Sequence, residues 1–146
     1  MAKHVYCRHS MELEVPFFDV DAMRIVWHGH YVKYLEMARC AFLSTIQYDY
    51  NEMGQQGFSW PIVQLNVKYV KPAVFGQIIR VDLAIVEIES YLRIDYTIVD
   101  STTGAKLTKA STTQVAVSLA TGEMLFQTPD SWLAAVQQHP TFQAIK

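Results

Sequence analysis

One segment of this 146-residue chain repeats its apolar residues at three and four, while its neighbours on both sides repeat them at two. Tyr31, Leu35, Ala38, Phe42 and Thr45/Ile46 share one side of residues 31 to 48, with Lys33, Glu36 and Arg39 on another. That spacing predicts one long amphipathic helix. Ahead of it, between Val5 and Phe17, the apolar positions Met11, Leu13, Val15 and Phe17 alternate with polar Ser10, Glu12 and Glu14, the period of a strand with one wet face. A looser stretch with Asn51, Gly54 and Gly57 follows the helix and ends at Pro61, a residue suited to opening a strand. Alternation then returns in Val63–Tyr69, Ile79–Ile85, Leu92–Ile98 and residues 105 to 119. Pro72 with Gly76, Glu89-Ser90, Ser101 to Gly104 and Thr121-Gly122 break the runs with turn chemistry. A short helix is expected after Asp130. The expected class is therefore α+β, with five or six antiparallel strands wrapped around a single long helix. The small residues Ala110-Ser111-Thr112-Thr113 suit either close curling of the sheet, a ligand, or a plain exposed strand face.

At this length a hydrophobic content of 51% supports one core, so residues 1 to 146 read as a single domain. A net charge of −2 without a Lys/Arg run offers no footprint for nucleic acid. The apolar runs are strand-sized and the first residues lack a hydrophobic leader, so no membrane span is expected. Cys7 and Cys40 match neither a disulfide framework nor a metal spacing, and read as free thiols in a reducing cytoplasm.

Chemistry concentrates at the entrance to the helix. Asp19-Val20-Asp21 is followed by His28-Gly29-His30-Tyr31, and the two acids sit among Phe17, Phe18, Ile25, Val26 and Trp27. Acids in such company are costly unless used or paired, although either also suits a turn cap. A carboxylate beside free backbone donors is acyl-transfer machinery. Asp21 can act as general base or nucleophile. The N–H groups around His28 and Gly29, at a helix start, favour a developing oxyanion, and Gly29 permits close approach. The His28 side chain is read as a substrate-orienting donor, a helper that sets Asp21's protonation, or a helix-cap neighbour, and His30 as a first-turn structural residue. Arg24 is expected to pair with Asp19, or to reach a phosphate or an acidic substrate. Glu36 and Arg39 have the spacing of a surface i,i+3 ion pair. Asp19, Asp21, His28 and His30 are ordinary ligand types, but histidines two apart are a poor helical pair, so no metal or other cofactor is expected. There is no G-x-S-x-G to support a serine hydrolase elbow.

Phe18-Asp19-Val20-Asp21-Ala22, then Val26-Trp27-His28-Gly29-His30-Tyr31, then Glu36-x-x-Arg39 resembles the signature of the hotdog-fold thioesterases of the 4-hydroxybenzoyl-CoA and acyl-CoA type. Tyr69-Val70-Lys71-Pro72-Ala73 with Gly76 resembles that family's next recurring stretch. The resemblance implies a sheet wrapped around a central helix, two subunits paired into a continuous sheet, and active sites at their interface. It gives the Asp21 position the reactive role and puts the Glu36 position near the substrate. Many relatives carry glycine at the positions of Met23 or Arg24, and a small or amide residue at that of His30. The run from Asp21 to Tyr31 is also similar to thioesterase-like proteins of bacterial aryl-polyene and related pigment pathways. The expectation is a homodimeric or homotetrameric thioesterase acting on a coenzyme A or acyl carrier protein thioester. A thiol leaves readily, with a pKa of about 8.5, so no strong general acid is required. Trp27, Tyr31, Tyr34, Phe58 and Trp60 are read as lining an acyl or aryl slot or as core. Lys68, Lys71, Arg80, Arg93 and Lys106 are read as a basic rim for a nucleotide or an acidic carrier. A hotdog dehydratase sharing proton transfer between Asp21 and His28, and a non-catalytic acyl-binding protein, are the alternatives.

Overall fold

A computed structural model describes residues 3–145 of the chain. Its main sheet contains β1 (Cys7–Glu14), β3 (Ile62–Tyr69), β4 (Ile78–Glu87), β5 (Leu92–Asp100) and β6 (Lys106–Gln114), in the order β1-β4-β5-β6-β3 and antiparallel throughout. Two short strands, β2 (Phe58–Ser59) and β7 (Val117–Ser118), pair separately. The long helix α1 (His30–Thr45) packs on the large sheet against β1 and β4, α2 (Tyr50–Gln55) packs on β2, and Trp132 of α3 (Asp130–Val136) donates to Ile88 O just after β4.

In β4 and β5 the period-two runs become strands with every second side chain turned into the core. Ile79, Val81, Leu83 and Ile85 of β4, with Leu92, Ile94, Tyr96 and Ile98 of β5, are buried. They pack toward the Tyr31, Tyr34, Leu35, Ala38, Phe42 and Leu43 stripe of α1. Thr112, within the small-residue stretch of β6, faces inward, and its hydroxyl lies 2.8 Å from the buried Tyr96 hydroxyl.

Several expected boundaries move. The first strand stops at Glu14 because Pro16 leads into a 3-10 turn, Phe17–Asp19, and Phe17 is exposed instead of lying in the core. The long helix ends at Thr45, and Gln47 adopts φ 56°, which redirects the chain. The stretch read as loose contains α2, capped by Asp49, whose Oδ1 accepts from Glu52 N at 2.9 Å. The run from 105 to 119 is two strands: Val115 N donates to Pro61 O, leaving β7 to pair with β2.

The two edges of the large sheet differ. Along β1, Arg8 N donates to Thr141 Oγ1 at 2.8 Å, and Gln143 N donates to the carbonyl of Tyr6 just ahead of the strand, so the C-terminal segment covers that side. Along β3, Ile62, Val63, Leu65 and Tyr69 stay exposed. Among the described residues no helix is long and apolar enough to cross a membrane.

Candidate active site

The motif forms a tight hairpin at the entrance to α1. Asp21 N donates to Ile25 O and Arg24 N to Asp21 O, each at 2.9 Å, and Arg24 has φ 63°. A three-residue loop whose last residue is left-handed is a standard hairpin closure, and that position favours glycine. Arg24 therefore meets that backbone requirement under strain. Val26 N donates to Ala73 O and Phe75 N to Arg24 O, which fastens the hairpin to the segment after β3.

The two acids of the motif meet opposite surroundings. Asp19 is 1% exposed. Its Oδ1 accepts from Lys33 Nζ at 2.5 Å, its Oδ2 accepts from Tyr34 Oη at 2.6 Å, and His30 Nδ1 stands 4.0 Å away. Burial alone pushes this carboxyl up, but the hydrogen bonds from Lys33 and Tyr34, with the nearby Lys33 and His30 charges, hold it below its ordinary value. Burial and the Asp19 carboxylate push the Tyr34 phenol up, which keeps it a donor. In place of the expected Arg24–Asp19 ion pair, Lys33 and Tyr34 hold Asp19, and Arg24 is exposed at the left-handed turn.

Asp21 is exposed and lines a cleft of about 380 Å³ with Ile25, Val26, His28, Tyr31, Tyr69, Val70, Lys71 and Pro72. Its Oδ1 accepts from Met23 N at 2.8 Å, so the turn-cap role is realised. Among the described residues its other oxygen has no donor. Two tyrosines brace the walls: Tyr69 Oη donates to His28 O at 2.7 Å, and Tyr31 Oη accepts from Ala73 N at 3.0 Å.

Gly29 caps α1, and His30 N donates to Trp27 O at 2.9 Å. Among the described residues the N–H groups of His28 and Gly29 have no backbone or side-chain acceptor. A side chain at Gly29 would meet the Trp27 ring at 2.1 Å, so the space above this glycine belongs to the half-exposed indole. Close approach there is made by Trp27. The same ring lies 5.1 Å from His28 and 5.3 Å from His30.

Asp21, His28 and Tyr31 thus meet at one cleft, with Gly29, Trp27 and Arg24 beside it in the same hairpin and helix start. Glu36 and Trp60 do not line it. Glu36 lies on the open side of α1, 3.4 Å from Arg39, but Arg39 is 2% exposed and donates to Tyr50 Oη, so this is no simple surface pair. Trp60 packs in the core against Tyr48 and Trp132. The cleft residues Tyr69, Val70, Lys71 and Pro72 were visible as a recurring stretch but carried no sign that they face Asp21. Burial pushes the Cys7 thiol up to about 11, so it offers no ready thiolate.

A curved antiparallel sheet around one central helix, with the acid hairpin at the helix entrance, defines a hotdog-fold protein. Residues 15–140 match the family described as the Thioesterase-like superfamily, and the chain belongs to that family. It is 30% identical to a Synechocystis protein provisionally named an esterase, over 90% of this chain and 84% of that protein. It is 33% identical to a Bacillus subtilis protein provisionally named an acyl-CoA thioesterase, over 45% of this chain and about half, 48%, of that protein. The fold is similar to that of a Synechocystis 1,4-dihydroxy-2-naphthoyl-CoA thioesterase crystal structure, with TM-score 0.82 and 22% identity over 92% of this chain and 100% of that one.

Proposed function

We propose that the chain hydrolyses an acyl or aryl thioester of coenzyme A or of an acyl carrier protein, with Asp21 as the reactive carboxylate. The observation that carries this reading is the division between the paired acids: both Asp19 oxygens are engaged, whereas Asp21 has one oxygen held and one open to the cleft. A fixed carboxylate with a free oxygen suits either proton abstraction from water or direct attack.

The substrate carbonyl oxygen takes the N–H groups of His28 and Gly29, which stabilise the negative charge that forms there. When Asp21 acts as base, water adds to the carbonyl carbon, its proton passes to Asp21, and collapse breaks the carbon–sulfur bond. The products are a carboxylic acid and a thiol. When Asp21 acts as nucleophile, the thiolate leaves first and water then opens the mixed anhydride. Trp27 and Tyr31 wall the acyl slot, and Arg24 meets an anionic part of the substrate. Glu36 meets the far end of the acyl group once a second copy of the chain closes the slot. That copy pairs through the uncovered β3 edge, because a long apolar edge is a liability until covered.

Free-thiol release from aryl, short-chain and long-chain esters of coenzyme A and of a carrier protein tests the reading. Thiol release from at least one ester is expected. No release from any of them, or loss of water with the thioester intact, would overturn it.

A further inference from the structure

On the outer face of the sheet, Lys68 of β3 stands directly opposite Lys109 of β6. Like charges facing each other across neighbouring strands repel, so the pair is unfavourable unless something anionic covers it. Lys106 lies three residues earlier on β6, about 10 Å away at the rise of a strand, and shares the same shallow groove with Arg93. The groove's acid, Asp95, is already held by Lys3 at 3.1 Å and approached by Arg93 at 3.5 Å. Among the described residues Lys68, Lys106 and Lys109 form no ion pair. This concentration of cations runs against the net charge of the chain, which is −2.

The groove adjoins the cleft. Val70 N and Lys71 N both donate to Leu107 O, at 2.9 and 3.0 Å, so the cleft-lining Lys71 sits against the start of β6 beside Lys106. Cations therefore run from the cleft mouth around the end of β3 onto the outer face. We infer that this face docks an acidic acyl carrier protein and delivers its phosphopantetheine arm around the strand end to Asp21. The inference rests on the thioesterase reading above and chooses between its two carriers.

The shape of the groove decides the choice. It is open and shallow, and its one aromatic residue, Tyr96, has its ring buried on the opposite face of the sheet. A nucleobase finds nothing there to stack on. An acidic helix laid across the groove meets cations at the spacing of its own turns, and such complementarity acts chiefly on encounter rate and partner choice.

The test compares wild type with K68E/K109E, at matched oligomeric size because Lys68 lies on the β3 edge, on one acyl group carried by three thiols: a phosphopantetheinylated bacterial acyl carrier protein, coenzyme A, and pantetheine. The expected result is a fall in kcat/KM of about tenfold or more on the carrier protein, with the wild-type advantage shrinking as salt screens it. Activity on pantetheine and coenzyme A stays within about twofold, as expected for a surface change outside the site. An equal fall on coenzyme A would overturn the proposal in favour of a phosphate site, and no fall on the carrier protein would overturn it outright. Calorimetric titration with the unacylated holo carrier protein reads docking without turnover. Binding by wild type and its loss in K68E/K109E support the surface even if hydrolysis fails; no binding by wild type refutes it.

Discussion

Asp19 and Asp21 are two residues apart and do different physical work. Asp19 anchors the hairpin to α1 through a buried carboxylate that accepts from Lys33 and Tyr34. Replacing it with Asn removes the charge from both bonds, and because Lys33 is half exposed the expected loss is about 2 kcal/mol at neutral pH. The sign with pH follows from the depressed native pKa. Asp19's contribution is complete above its unfolded value of about 3.9 and is lost as pH falls through the lower native value. Urea unfolding of wild type and Asp19→Asn from pH 7 to 3 should show a gap that narrows below about pH 4; a gap constant with pH would contradict the ionic role. The pair of acids was legible in the motif, but the difference in their surroundings was not. Lys33 and Tyr34 lie fourteen and fifteen residues beyond Asp19, and only the packing of the hairpin on α1 brings them to it. Local sequence suggested Arg24 for that place, and Arg24 is instead exposed at the left-handed turn.

At the scale of elements, the hairpin carries a cost at its third loop residue. A non-glycine residue in the left-handed region costs about 1–2 kcal/mol, offset in part by the greater freedom that glycine has in the unfolded chain. Arg24→Gly should therefore raise the urea midpoint, by a stability gain of about 0.5 kcal/mol; a midpoint lowered as by glycine in a helix would show that Arg24 holds the turn through its side chain. The long elements were readable because each has one buried and one wet face, so their periods survive in the sequence. The short ones were not. The six residues of α2 span fewer than two turns and include Gly54, too short a window for a periodic signal. The division of residues 105 to 119 into β6 and β7 depends on Val115 bonding to Pro61 on another strand, which alternation along one segment does not encode.

Across the whole molecule, β3 has the alternation of a half-buried strand and yet leaves Val63, Leu65 and Tyr69 exposed. The proposed pairing through the bare β3 edge predicts that Leu65→Lys converts a dimer to a monomer in sedimentation velocity; an unchanged dimer, or a wild type that is already monomeric, would contradict it. The class of fold was legible because only one segment has helical period and all the long strands belong to one sheet. Asn in place of Asp21 can still accept from Met23 N, and an exposed residue away from the core changes stability by about 0.5 kcal/mol or less. The most direct measurement is therefore kcat for thiol release by wild type and Asp21→Asn, compared at matched unfolding midpoint and oligomeric size. A fall of about a hundredfold or more is expected for loss of a direct acid–base or nucleophilic group. Equal rates in the two proteins would contradict the account.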